Sequence, residues 1–470
     1  WDIAPDTRLE FMANIFELEG DGDYVQIAGN RATGVPAISV RGDTEGEIPT
    51  NSVNTFSLTF TQSDLFGGKL SAQGFYREFE SVFGGGTFDG FFNTGDEAPG
   101  EFTFDQSSNI SDKTGVKLTY SHSDLPIQGM TVTGGLDVLS DESSQILVQT
   151  GRLWVPEVEL VSIAPFLQFD QLLLNDRILV SAGLRQENAT LNVADFTTIF
   201  SSNSTQVEGG EPDFEETLFN IGGSFEIIDG LIPYASYSQG FTMPDVGRVL
   251  RAVNTPNQSV ESLVNIDPIV ADNTEVGVSF ERGGFRANAS YFWSESDFGQ
   301  RLFANAAGIF EVRREPTEIS GFELSGEYDF GNDLIIGAGY ANLEGQSDQD
   351  GDGQVDEDLS AENISPDRLT AFIAAVPLDK ISIRAQLSHN FDRSFNDAAT
   401  VTDFDGYTLI DLTAGYDAGE IGRFDLGVQN ALNKNFTSYY SQSSPSAATR
   451  GDRFFQGRGR TVTLRWSKTY

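Results

Sequence analysis

Cysteine is absent from this 470-residue chain, and histidine occurs only twice. The first absence removes disulfides and thiolate metal sites. Basic residues are scarce: 29 Lys and Arg stand against 70 Asp and Glu, for a net charge of −41. Phosphates repel so acidic a chain, which excludes nucleic acid as a partner. No apolar run approaches the length of a membrane-spanning helix, so a helical membrane protein is excluded. Helical periodicity is almost missing as well. No constellation supports catalysis. His122 and His389 fall near opposite ends of different strands. Neither has a nucleophile and an acid at motif spacing, so the chain does not read as an enzyme.

What is present is strand alternation. In FRANASYFW, Phe285, Ala287, Ala289, Tyr291 and Trp293 share one face, opposite Arg286, Asn288 and Ser290. In TVTLRWSKTY, Val462, Leu464, Trp466 and Tyr470 oppose Thr463, Arg465 and Ser467. The connections alternate in length. Tight ones lie around Leu65–Gly67, Asp124–Gln128, Asn175–Asp176, Asp229–Gly230, Arg282–Gly284, Gly331–Asp333 and Pro377–Lys380. Long polar ones run roughly over Ile15–Asn51, Glu80–Ser111, Glu142–Ser162, Asn188–Glu215, Thr242–Asn273 and Ser294–Thr317. Long connections are uncommon in globular folds. A strict short–long rhythm is the mark of an antiparallel outer-membrane β-barrel, with turns at the periplasmic rim and loops outside. The expected class is all-β, a transmembrane barrel of about eighteen strands set in outer-membrane lipid. A large soluble all-β protein would lack both that rhythm and the Trp and Tyr near strand ends, which suit an aromatic girdle. The opening WDIAPDTRLEF reads as the end of one strand, a turn, and a new strand. The expectation is a sequence lacking its N-terminal part, with an unpaired edge at Trp1–Ile15.

The C-terminal third adds motifs. NISPDRLTAFIAAVP, FDGYTLIDLTAGY, FDLGVQNALNKNFTSYY and FFQGRGRTVTLRWSKTY follow one another. They resemble the end of a TonB-dependent outer-membrane receptor, and VQNALNKNF is similar to that family's penultimate-strand motif. IPYASYSQGFTMPDVGR, NTEVGVSF and EISGFELSGEY resemble its middle strands, so the likeness covers nearly the whole chain. SQGFTMPDVGR, SPDRLTAFIAAVP and GRGRTV look most like the receptors for ferric aerobactin and other citrate-hydroxamate siderophores. The resemblance implies 22 strands and a plug domain. With about eighteen strands visible, the plug and the first four strands are expected to lie outside this sequence. One departure is the final Tyr470, where the family normally has Phe.

Two sets of residues are candidates for binding. SDQDGDGQVDEDLS, between an ascending and a descending strand, places Asp348, Asp350, Asp352 and Asp356 near the spacing of a calcium loop. The twelfth position of that pattern is Leu359 rather than a bidentate glutamate. Calcium and a solvated acidic loop tip therefore both stand, and the missing ligand favours the second. Arginines gather with aromatics in the loops: Arg152 beside Trp154, Arg248 and Arg251 after Phe241, Arg313–Arg314, and Arg450 and Arg453 near Tyr439, Tyr440, Phe454 and Phe455. Guanidinium forks grip carboxylates and rings pack apolar arms, as a compact anionic ferric complex needs. Each arginine also has an acid nearby that could pair with it. Arg286, Glu323 and Glu327 are expected to line the lumen.

The expectation is an energy-coupled receptor of a Gram-negative outer membrane. Its ligand is a ferric siderophore, and its partner is the TonB complex acting through the plug. Iron arrives chelated, so the protein itself needs no iron ligands. The rival readings are a passive porin, a receptor of the same family for another ligand, and an adhesin or phage-docking surface.

Overall fold

The structure, a computed structural model, describes the chain except residues 21, 44, 85–90, 92, 99–100, 124–126, 244, 265–267, 305–309, 332, 361–362, 397–402, 444–453 and 469–470. The side chains of 26, 264, 300–304 and 310–313 are also outside the description. Arg450, Arg453, Tyr470 and the Arg313 side chain therefore lie outside the described residues.

One antiparallel sheet of 20 strands dominates. Two of its members are short, Asp2–Ala4 and Glu357–Asp358, which leaves eighteen long strands from Thr7–Glu19 to Thr461–Ser467. Each long strand pairs with its neighbours in the chain, an up-and-down meander. The Arg282–Phe285 turn shows why the short connections can be so short. Gly283 and Gly284 have φ of 59° and 85°, the pair of positive values that a two-residue hairpin of this twist requires. A Cβ on Gly284 would lie 2.5 Å from the Asp329 carbonyl oxygen.

The alternation sorts side chains as a membrane barrel demands. Leu58, Val116, Leu118, Ile163, Leu324 and Leu464 are all exposed on the outer face. So many exposed apolar side chains in one band fit lipid rather than water. Tyr291, Tyr416 and Trp466 stand exposed on the same face, at the heights expected of a girdle. The inner face is polar. Arg185 bonds Asp137 at 2.8 Å and also pairs with Glu187, Lys113 bonds Asp141 at 2.7 Å, and Arg286 bonds Glu327 at 2.8 Å.

Above the apolar band, the outer face changes character. Glu78, Asp112, Glu142 and Glu159 sit directly across from one another on successive strands. Asp272, Glu295 and Glu318 form a second such row.

Two expected loops are instead mostly ladder. Strands Met130–Leu147 and Leu153–Leu173 fill most of Glu142–Ser162, and Phe285–Ala304 with Phe310–Asp329 fill most of Ser294–Thr317. Polar side chains there suggested a loop, yet paired backbone satisfies its own N–H and C=O groups whatever the side chains are. Bulges near Gln145 keep the first hairpin in register.

The remaining long loops carry small elements: a hairpin of Tyr24–Ile27 with Ile38–Arg41, and helices α1 (Val246–Arg251), α2 (Val260–Val264) and α3 (Tyr439–Ser443). Among the described residues no ladder joins Thr461–Ser467 to Asp2–Ala4 or Thr7–Glu19. Loops connect that side of the sheet. Arg31 donates to the carbonyls of Ser441 and Gln442, and the Ala37 N–H donates to the Phe454 carbonyl at 2.7 Å.

Candidate functional site

The lumen wall is polar low down and apolar near the outer rim. Along Ile178–Val193 the inward series runs Arg185, Glu187, Ala189, Leu191, Val193, switching from charge to hydrocarbon within one strand. Val158 on the preceding strand and Phe214 on the following one extend this apolar patch. Residues 245–263 fold inward onto it. α1 buries Val246 and Leu250 against the wall, joined by Val253 and Val260. Contact is close because position 247 is glycine: a Cβ there would lie 2.8 Å from Val155 Cγ1. Asp245 caps α1 by accepting the Arg248 N–H at 3.1 Å.

Between α1 and the wall lies a cavity of about 650 Å³. Its apolar side comes from Phe79, Phe83, Phe91, Trp154, Met243 and Leu160. Its polar side is a floor of hydroxyls and amides, Ser107, Asn109, Ser111, Ser143 and Gln145, with Asn109 directly opposite Gln145 and Ser111 opposite Ser143. Asp245, Arg248 and Arg251 complete the lining, with Asp141 below.

The arginines divide into separate roles. Arg251 is only 9% exposed, and its guanidinium lies 4.0 Å from the Trp154 ring centroid. It donates to Gln145 Oε1 at 3.2 Å, while its carbonyl accepts the Ser202 hydroxyl at 3.0 Å. Trp154 in turn meets Phe91 edge-on at 4.4 Å. Arg152 points away from the cavity. It pairs with the fully buried Asp105 at 3.0 Å and donates to the Phe91 carbonyl and to Thr150 Oγ1. Arg248 is about one-third exposed and pairs with Asp245 at 3.3 Å.

The structure thus brings Trp154, Arg248 and Arg251 together around one cavity, with Arg152 behind it. It does not bring the other candidates there. Phe241 shares its strand face with Tyr237, on the outer side opposite Tyr234, and does not line the cavity. The backbone of Arg313 pairs with Arg301 in the extended hairpin. Tyr439 and Tyr440 begin α3, where Tyr439 stacks on Phe395 at 6.5 Å and meets Phe404 at 5.0 Å. Phe79, Met243 and the hydroxyl floor are not evident from the sequence, whereas Asp245 is one of the acids expected to pair with a loop arginine, and it pairs with Arg248. The signal that could have found them was the switch to apolar residues on an inward face, which marks wall that something must cover.

The acidic loop is held by its own acids. The Asp348 carboxylate accepts the N–H groups of Gly351 at 2.7 Å and Gly353 at 3.0 Å. Asp350 accepts the Asp352 N–H, and Asp352 accepts the Gln354 N–H. Carboxylate oxygens of Asp348, Asp350 and Glu357 lie within 4.8 Å of one another. Of the four expected ligands, Asp348 and Asp350 come together, Glu357 joins them, and Asp352 and Asp356 stand outside the group.

A family model described as TonB dependent receptor-like, beta-barrel matches residues 3–431. The chain is similar to a ferric aerobactin receptor of Klebsiella pneumoniae, 25% identical over 519 residues, which cover 99% of this chain and 67% of that protein. It is 23% identical over 523 residues to a rhizobactin receptor of Rhizobium meliloti (strain 1021), covering 100% of this chain and 67% of that one. It therefore spans about two thirds of the length of these relatives. Among solved structures, the copper transporter OprC superposes with a TM-score of 0.74 at 15% identity, over 99% of this chain and 69% of that one. The siderophore receptor PiuA from Acinetobacter baumannii gives 0.69 at 12% identity, over 98% and 71%. At such identities the structural likeness speaks for the barrel fold alone.

Proposed function

This chain belongs to the TonB-dependent outer-membrane receptors, and from that premise we propose that it imports a ferric siderophore of the citrate-hydroxamate type. One observation carries the ligand class: the cavity beneath α1 sets the cations Arg248 and Arg251 beside Trp154, Phe79 and Phe83, over a floor of hydroxyls and amides. An anionic complex with hydroxamate oxygens and apolar arms finds a partner there for each part. The names of the aerobactin and rhizobactin receptors point the same way.

The protein's part in this reading is binding and gating, with no covalent change in the ligand. Contacts that differ between the free and loaded states bias a plug domain, and the TonB complex supplies the energy from the inner membrane. The ligand brings its own iron.

The test is binding in detergent, followed through Trp154 fluorescence, with ferric aerobactin against a ferric tris-catecholate. Tighter binding of the first complex, and a tenfold or greater loss in Arg248→Ala, is the expected result. An arginine bonded to an anion in a dehydrated pocket contributes roughly 1.5–3 kcal/mol, about one to two decades in Kd. Preference for the catecholate overturns the ligand class and leaves the receptor family standing. Steady ion conductance in a planar bilayer, with no binding of either complex, would favour the porin.

A further inference from the structure

We infer that Asp245 is an internal competitor of the ligand: its carboxylate occupies Arg248 in the empty site and is displaced when an anionic complex binds. The inference rests on the proposed site, and it assigns the residue that sets the charge preference of that site.

Three observations lead to it. First, Arg152 and Arg251 are committed elsewhere, the one to buried Asp105 and the other to the Trp154 face and Gln145. Arg248 is the cation lining the cavity whose ion pair can be exchanged. Second, that pair is loose and accessible. Nε and Oδ2 are 3.3 Å apart, and each side chain is about one-third exposed. Such a pair contributes little and gives way to a better-placed anion. Third, the same Asp245 carboxylate caps α1 through the Arg248 N–H at 3.1 Å. Losing Arg248 to a ligand leaves that cap bond in place, so α1 need not unwind for the exchange to occur.

The arrangement implies selectivity. A neutral ferric complex offers Arg248 nothing better than Asp245, and a cationic one would leave the pair closed. An anionic complex replaces one charge-assisted hydrogen bond by another and frees Asp245 to meet water. Asp141 is already paired with Lys113, so the electrostatic cost of admitting an anion beside Asp245 is the term that limits affinity.

Asp245→Asn separates the two roles of the residue, because asparagine caps a helix as well as aspartate does. The experiment measures Kd in detergent for three probes: ferric aerobactin, a ferric tris-catecholate and a neutral ferric trihydroxamate. The expected result is that Asp245→Asn tightens whichever anionic probe the wild type binds by about fivefold, the scale of a partly exposed ion pair, and leaves the neutral probe unchanged. In an Arg248→Ala background the same substitution is expected to give clearly less than that gain, because only the like-charge relief remains once there is no ion pair to release. Protease protection of residues 243–268 in Asp245→Asn checks that α1 is still seated. Unchanged or weaker binding of the anionic probe with α1 seated overturns the inference. So does a wild type that binds only the neutral complex. Tightening of the catecholate, where that is the complex bound, upholds the competitor and overturns the citrate-hydroxamate reading, so the two failures are distinguishable.

Discussion

The guanidinium of Arg251 lies 4.0 Å from the ring centroid of Trp154, joining α1 to the extended hairpin of the barrel wall. A desolvated cation–π contact of this kind is worth about 2 kcal/mol. Arg251→Ala is expected to unseat α1 while the barrel stays folded. Limited proteolysis reads this as new cleavage within 243–268, and Trp154 emission moves to the red. An unchanged cleavage pattern would show that the apolar contacts of Val246 and Leu250 suffice alone.

Arg152 calls for a different outcome from Arg248, although both were candidates for the same task. Arg152→Ala leaves Asp105 fully buried with its ion pair broken. Breaking a buried pair by removing one partner costs on the order of 3 kcal/mol. The N–H of Gln149 and the hydroxyl of Thr150 still bond that carboxylate, which softens the loss. Loss of order around Phe91 and Asp105 is expected, with ligand affinity falling as a consequence. Arg152→Ala combined with Asp105→Asn is expected to recover much of the stability. Recovery of nothing would move Arg152 back among the ligand contacts.

Acid tests the same loop from another side. Desolvation alone would raise the Glu97 carboxyl, yet hydrogen bonds from the Thr94 N–H, the Thr94 hydroxyl and the Thr103 hydroxyl outweigh it and hold the group at about 2. A depressed carboxylate stabilises the folded loop above its ordinary value near 4.5. That stabilisation fades as pH falls from there through about 2. Proteolysis of this loop by an acid-stable protease is expected to accelerate across that window in the wild type. In Glu97→Gln the rate is expected to be higher and flat. Parallel profiles would disconnect Glu97 from loop order.

The acidic loop distinguishes screening from binding. Asp348, Asp350 and Glu357 face one another without a base among them, so any salt relieves their repulsion. Glu357 supplies the third carboxylate, from a position too early in the sequence for the last ligand of a regular calcium loop. The expected outcome is that millimolar calcium protects residues 347–360 from exchange more than potassium chloride of equal ionic strength does. Asp350→Asn is expected to remove the difference. Equal protection by both salts returns the stretch to a solvated loop tip.

The barrel was legible because its rule is simple. Alternation of period two and the rhythm of turn lengths both follow from strands crossing an apolar layer, and eighteen long strands resulted. The site was only half legible. Arginines beside aromatics brought forward Arg152, Trp154, Arg248 and Arg251 as candidates, but spacing could not say that Arg152 would turn to Asp105 or that Arg251 would lie under α1. Those choices are made by packing between segments distant in sequence. Phe241 misled because a residue next to a loop still obeys the alternation of its strand, which turned it outward. The hairpin at 142–162 misled because polarity was read as looseness.

The carboxylate rows on the outer face bear on how fast a ligand arrives. Glu78, Asp112, Glu142 and Glu159, and again Asp272, Glu295 and Glu318, give the flank of the upper barrel a negative potential. An anionic ligand of the class proposed above is repelled when it approaches from the side, whereas Arg248 faces the lumen. Encounter is thus limited by like-charge repulsion, which added electrolyte weakens over a Debye length of about 8 Å at physiological ionic strength. Salt would then quicken association, the opposite of its usual effect on a charged ligand and its receptor, and a medium rich in ions would be the one in which this barrel fills most rapidly.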